Sequence, residues 1–166
     1  MGNIYLVGFM GTGKSAAGKQ LATRKKWQFL DLDELIELKQ RMTISDIFAK
    51  AGEAYFRRIE KKTLAEVAEE SGFVVACGGG IVLDKDNIRV MKNTGTIICL
   101  TASVKEILKR TQGFKHRPLL NVKDSAKRIE MLLKFRAPFY AQADHTIDTS
   151  RLKTEQVVEK IFKMLK

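Results

Sequence analysis

Gly8-Phe9-Met10-Gly11-Thr12-Gly13-Lys14-Ser15 satisfies G-x-x-x-x-G-K-[ST] in full. Glycines let a backbone turn tightly and come close to phosphate oxygens. Successive amides and the N-terminus of a following helix supply donors and a positive dipole end. Lys14 can neutralise β and γ phosphates, and the Ser15 hydroxyl can bind Mg²⁺. The context agrees: Ile4–Val7 reads as a strand and Ala16–Lys25 as a helix. The motif specifies a nucleoside triphosphate without deciding between kinase, ATPase and GTPase.

Other constellations are weaker one by one. Asp31-Leu32-Asp33 follows the second strand-like run. On extended backbone, residues two apart point the same way, so both carboxylates could face a ligand crevice at a strand's C-terminal end. One could hold magnesium through water while the other accepts a hydrogen bond from an attacking hydroxyl. Equally, Asp33-Glu34 could open a helix, where acids are favoured. Arg57 and Glu60 share a helix face at i,i+3 and could aim a guanidinium fork at a carboxylate ligand; the plainer alternative is a surface ion pair. Gly78-Gly79-Gly80 follows an apolar run and permits close approach of backbone to ligand, or is a flexible turn. Arg110, Arg117 and Arg136 could bind anionic groups or lie in solvent. His116 and His145 lack partners at metal-ligand spacing.

The elements that must position these residues alternate along the chain. The strand-like runs are Ile4–Val7, Gln28–Leu30, Val74–Cys77, Thr96–Leu100 and Thr146–Asp148, and most are continuously apolar, as parallel strands buried on both faces are. Helical stretches separate them. Ser103-Val104-Lys105-Glu106 fits a capping box, and Thr43-Ile44-Ser45-Asp46 gives a similar start signal. A long helical stretch is expected over Gly52–Ser71. Val157, Val158, Ile161, Phe162 and Leu165 mark the core face of the last helix. Such alternation implies an α/β fold of three layers, α/β/α, with a five-stranded parallel sheet. A single domain is expected over residues 1–166, with an acceptor-binding segment at about 33–60 and a lid at about 112–124.

Composition narrows the class. With 45% hydrophobic and 30% charged residues the chain reads as globular, and no apolar run reaches the length of a membrane span. Met1–Val7 runs straight into the glycine loop and lacks the features of a signal peptide, so a cytoplasmic location without membrane association is expected. Cys77 and Cys99 lie in apolar runs and read as reduced core thiols. The formal net charge of +11 suits anionic ligands but is spread over presumed helix faces.

Taken together, GFMGTGKS, DLD, GEAYFRRIE, CGGG, RPLL and RAPFY, in that order, resemble the shikimate kinases over nearly the whole chain. The resemblance implies a nucleoside monophosphate kinase-like fold and phosphorylation of the 3-hydroxyl of shikimate by ATP and Mg²⁺, on the route to chorismate and aromatic amino acids. It implies that Gly11, Thr12, Gly13, Lys14, Ser15 and Ala16 wrap the phosphates, with Ser15 on magnesium and Asp31 near it through water. Asp33 would orient the attacking hydroxyl. Arg57 and Arg136 would clamp the carboxylate, Glu60 would position Arg57, and Gly79 with Gly80 would offer backbone amide. Arg117 would be the lid arginine on the phosphates, Arg110 would pack on adenine, and Phe48 and Phe56 would line the apolar side of the acceptor pocket. One departure concerns the loop after Asp148-Thr149, where the family often supplies Arg or Gln to the adenine region. The third residue of that loop here is Leu152, with Arg151 adjacent. The implied partners are shikimate and ATP, without nucleic acid, and the chain is expected to be monomeric. Two other readings remain: a gluconate or nucleoside monophosphate kinase, since gluconate also combines a carboxylate with hydroxyls, and a basic nucleotide-dependent module on nucleic acid. The second lacks a recognition motif or an aromatic–basic stacking surface.

Overall fold

A computed structural model of the chain describes residues 2–112 and 124–166. Five parallel strands form one sheet in the order β2-β3-β1-β4-β5: β1 (Asn3–Val7), β2 (Gln28–Asp31), β3 (Phe73–Ala76), β4 (Gly95–Thr101) and β5 (His145–Asp148). Each strand-like run of the sequence is found as a strand, with ends shifted by at most one residue. Cys77 falls just beyond β3, where its amide still donates to Leu6 O at 2.9 Å.

Side-chain alternation along the strands builds two cores. Tyr5, Val7, Val75, Ile97 and Cys99 point into one cluster, which is completed by Leu32, Ile36, Phe56, Leu64 and Met91. Ile4, Leu6, Val74, Ile98 and Leu100 point the other way, onto Ala17, Leu21, Val157, Val158 and Ile161. The helices behind these residues are α1 (Lys14–Lys25) and α7 (Thr154–Met164) on the second face, with α2 (Leu32–Gln40), α3 (Ile44–Ala68) and α4 (Lys85–Thr94) on the first. The result is the three-layer arrangement expected from the alternation of elements. Phe162 and Leu165 complete the α7 face as partly buried residues. A third, smaller cluster of Phe9, Ile107 and Ile129 joins the glycine loop to α5 (Val104–Thr111) and α6 (Ser125–Tyr140). Both cysteines are buried and free, and burial raises both thiols, Cys99 to about 11.

Local signals explain the helix starts. Thr43 Oγ1 accepts from Asp46 N at 3.1 Å and Ser103 Oγ accepts from Glu106 N at 3.2 Å, as N-caps do. Two expectations need correction. The long helix begins at Ile44 rather than Gly52, and Gly52, at φ 85° and ψ 170°, breaks it into two arms. Asp31-Leu32-Asp33 is not extended throughout: Asp31 is the N-cap of α2, its Oδ1 accepting from Glu34 N at 3.1 Å, and Asp33 already lies in the first helical turn. The capping aspartate satisfies an amide of the first helical turn, so the helix starts at Leu32, one residue before Asp33.

Register sets the site. Asp31 pairs with Ala76, Ala76 with Leu6, and Val7 with Cys99. The carboxyl ends of β2, β3 and β1 therefore finish nearly level and release Asp31, Gly78 and Gly8 at one edge, where open α/β sheets bind ligands. The segment at about 33–60, expected to bind the acceptor, comprises α2 and the first part of α3. The segment at about 112–124 in which a lid is expected, with Arg117 in it, falls outside the described residues save for its end positions. Among the described residues no helix is long and apolar enough to cross a membrane.

Candidate active site

Gly13 caps α1 in the left-handed region, at φ 97° and ψ 20°, a conformation that favours glycine. Helix α1 then begins at Lys14, so the first amides of its opening turn point out of the helix toward the glycine loop. Its first turn carries no acid and its last turn carries Arg24 and Lys25, which leaves the positive end of the dipole uncompensated at the loop. The loop is held from within: Thr12 Oγ1 donates to Phe9 O at 2.7 Å, and Lys14 Nζ donates to Gly8 O at 2.7 Å and Phe9 O at 2.9 Å. This arrangement can seat a polyphosphate on amides with an ammonium beside it.

Ser15 Oγ donates to Asp31 Oδ2 at 2.9 Å. The first helical turn of α1 and the end of β2 thus bring one hydroxyl and one carboxylate together. Among the described residues there is no group of three or more His, Cys, Asp or Glu able to hold a metal. A hard cation that keeps waters and phosphate oxygens suits this oxygen donor pair; a metal that needs a full protein cage does not.

At the other end, Arg57 on α3 donates from Nη1 to Glu60 Oε1 at 3.0 Å and from Nη2 to Glu53 Oε1 at 3.3 Å. Glu60 is 0% exposed, so the pair is not the surface ion pair that the spacing alone allows. Burial pushes the Glu60 carboxyl up from 4.5 to about 7, against the pull of Arg57, and Asp33 adds to the rise. Arg136, four residues before the end of α6, is 4% exposed, with its guanidinium 5.6 Å from the Phe9 ring centroid. Arg57 Nε, Glu60 Oε2 and Arg136 Nε are buried without a hydrogen-bond partner among the described residues. Buried polar atoms left so are costly, and they are common where a ligand completes the network.

Gly78-Gly79-Gly80 forms the floor between these groups. A Cβ on Gly78 would come 2.9 Å from Asp33 Oδ1 and 3.3 Å from Glu60 Oε2, one on Gly79 would lie 3.1 Å from Arg136 Nη1, and one on Gly80 would collide with the Arg57 guanidinium. Phe48 and Phe56 meet at a tilt of 38°, with ring centroids 5.0 Å apart, and both line the cavity. Tyr140 was not singled out from the sequence. Its hydroxyl donates to Gly79 O at 2.6 Å, and burial raises it to about 12, so it stays a donor. Its placement four residues after Arg136 on one helix face was the available signal.

Arg110, on α5, lies at the opposite end. Its guanidinium donates to Glu106 Oε1, Gly11 O, Thr149 Oγ1 and Thr149 O. In the loop after β5, Leu152 and Lys153 line the cavity while Arg151 is exposed. Leu152 therefore supplies an apolar surface where a longer polar side chain was in question.

One cavity of about 1210 Å³ joins both ends. Gly11, Thr12, Gly13, Lys14, Ser15, Ala16, Asp31, Asp33, Arg57, Gly79, Gly80, Arg110 and Arg136 all line it. Arg117 cannot be placed, since it lies outside the described residues. The cavity has a phosphate cradle at its centre, cations and carboxylates at one end, and a flat guanidinium with an apolar wall at the other.

The chain's relatives share this frame. The family model described as Shikimate kinase matches residues 10–166. The shikimate kinase of Thermoanaerobacter pseudethanolicus is 45% identical over 163 residues, covering 98% of this chain and 95% of the relative. The solved shikimate kinase from Acinetobacter baumannii in complex with shikimate superposes with a TM-score of 0.96 at 38% identity, covering 99% of this chain and 93% of that one. The shikimate kinase from Aquifex aeolicus gives a TM-score of 0.83 at 32% identity, covering 98% and 95% of the two chains. With a family match across most of its length and relatives of this identity over nearly all of it, the chain belongs to the shikimate kinase family.

Proposed function

We propose that this chain uses the cavity to carry the γ-phosphoryl of ATP to the 3-hydroxyl of shikimate, with Mg²⁺ as the metal. The observation that carries the reading is the set of Arg57, Arg136 and Asp33 around Gly78–Gly80, in one cavity with Lys14 and Ser15. Shikimate has one carboxylate and several hydroxyls. Two guanidiniums suit the first, and a carboxylate that accepts hydrogen bonds suits the second.

Arg57 and Arg136 bind the acceptor carboxylate, and the unsatisfied Nε atoms of both are available to it or to waters around it. Glu60 fixes Arg57, and Tyr140 fixes the carbonyl side of Gly79 so that amides of the glycine floor face the substrate. Asp33 accepts from the attacking hydroxyl and orients it. A loose phosphoryl-transfer transition state needs little help from a base, so orientation is enough. Lys14 and the amides of Gly11 to Ala16 hold the phosphates in line. Bound Mg²⁺ would neutralise charge on the transferring phosphates, with Ser15 as its hydroxyl ligand and Asp31 reaching it through water. Arg110 packs its face on adenine. Arg117, from a lid at about 112–124, reaches the phosphates, and closure excludes water. One folded domain carries these parts, and it acts as a monomer.

An acceptor screen with ATP and Mg²⁺ tests the assignment. Turnover is expected with shikimate and not with gluconate or nucleoside monophosphates, and the reverse preference sinks it. Asp33→Asn is expected to lower transfer by at least ~10²-fold while ADP binding is kept, as the loss of a positioning contact predicts.

A further inference from the structure

The Arg110 guanidinium is bonded along its edge. Nε donates to Glu106 Oε1 at 3.1 Å, Nη1 to Gly11 O at 3.2 Å and Thr149 Oγ1 at 3.0 Å, and Nη2 to Thr149 O at 2.7 Å. These bonds use all but one of the N–H groups that a guanidinium carries. What remains for a ligand is one N–H and the flat face, which suits a planar π system.

Thr149 contributes two of the four acceptors and is 2% exposed. Its hydroxyl also faces Thr12 O at 2.9 Å and Thr101 O at 3.0 Å. Carbonyls only accept, so the single hydroxyl hydrogen goes to one of them and a lone pair is turned to Arg110. The same side chain therefore touches the phosphate loop at Thr12, the end of β4 at Thr101, and the arginine at the base end. Its contacts are built into the fold and independent of any bound molecule.

We infer that Thr149 is a positioning residue for nucleotide binding, whose hydroxyl fixes the plane of Arg110 against the nucleobase. The inference rests on the reading of this end of the cavity as the base site. Removing the hydroxyl leaves an Arg110 N–H and a Thr12 or Thr101 carbonyl without their buried partner, and the guanidinium is free to tilt. A tilted guanidinium loses contact with a base but not with a phosphate chain held by α1.

Calorimetric titration of ADP and of pyrophosphate into the wild-type protein, Thr149→Val and Thr149→Ser separates the alternatives. Thr149→Val is expected to weaken ADP by about 10-fold and pyrophosphate by less than about 2-fold, the scale of one buried hydrogen bond. Thr149→Ser, which keeps the hydroxyl, is expected to restore ADP affinity. In the coupled assay, KM for ATP should rise while kcat and KM for shikimate hold. If Val cannot be tolerated against the Thr12 carbonyl, Thr149→Ala carries the same expectation. Unchanged ADP affinity, or equal losses for ADP and pyrophosphate, overturns the inference. A wild-type protein that binds pyrophosphate but gains nothing from the nucleoside of ADP overturns the base-site reading itself.

Discussion

Arg57 Nη1 donates to Glu60 Oε1 over 3.0 Å, and the accepting carboxyl has no exposed surface. If Arg57 binds the acceptor as proposed, that relationship is expected to make acceptor binding sensitive to pH. Burial raises Glu60 from 4.5 to about 7, so near neutrality its charged form, the stronger partner for a guanidinium, is only partly populated. The native state then binds more protons than the unfolded chain between about 4.5 and about 7. The corresponding stability is fully present below 4.5 and is lost as pH rises through 7. The orientation of Arg57 runs the opposite way, improving as Glu60 ionises.

KM for shikimate is therefore expected to fall as pH rises from about 6 to about 8, and thermal melts should show a small loss of stability over the same range. Glu60→Gln removes the titration. It should flatten both profiles and raise KM at pH 8, where the wild-type residue is ionised. A Gln variant that keeps the wild-type slope in both would rule out Glu60 as the titrating group.

Arg136 supports a second prediction. It is 4% exposed and lies against Phe9 and Gly79, a setting in which a guanidinium gains little from water. Arg136→Ala should raise KM for shikimate by about 100-fold, within the range for truncating one member of a buried charged pair. ADP affinity should stay within about 2-fold. Arg136→Lys should recover little, because a point charge cannot reproduce the fork. Normal shikimate affinity in the alanine variant would refute the carboxylate clamp.

How much of this was legible in the sequence depends on whether the partners are local. The glycine loop was, since Gly8 to Ser15 contains both the turn and its donors. The i,i+3 spacing of Arg57 and Glu60 was visible too, but Glu60 is changed by burial against residues of other elements, Gly78 among its neighbours, and by the charge of Asp33. Asp31-Leu32-Asp33 was legible as a pair of carboxylates. Its geometry was not, because Asp31 capping Glu34 N turns extended chain into helix at Leu32. Tyr140 and Thr149 escaped notice because their decisive partners, Gly79 and Arg110, lie 61 and 39 residues away. Only the assembled sheet, which levels the strand ends, reveals those contacts.

The Ser15–Asp31 contact yields a third prediction. The Ser15 hydroxyl lies 2.9 Å from Asp31 Oδ2, and on the proposed reading the carboxylate holds a water of the hydrated cation. Asp31→Asn keeps the N-cap of α2, because asparagine caps as well as aspartate. It removes only the negative charge. The Mg²⁺ concentration needed for half-maximal activity should rise by about 10-fold, the scale of one charge-assisted contact. The melting temperature should be unchanged, and chelation of the metal should abolish turnover in both proteins. An unaltered Mg²⁺ dependence would remove Asp31 from the metal's surroundings.

Gly80 supplies the sharpest steric test of the acceptor end. A Cβ there would stand 2.6 Å from Arg57 Cζ and 2.7 Å from Nη1, closer than real contacts allow. The obstacle is the end of a flexible side chain, so the fold can survive by moving Arg57 away. Movement would break the Glu60 bond and strand a buried carboxylate, which then takes up a proton more readily. Gly80→Ala is thus expected to act like a loss of Arg57, raising KM for shikimate by at least ~10-fold while ADP binding persists. Because the damage passes through Arg57, adding Arg57→Ala to Gly80→Ala should cost little more than either change alone. Fully additive losses in that double-mutant cycle would show that Gly80 acts on the substrate through its own backbone instead.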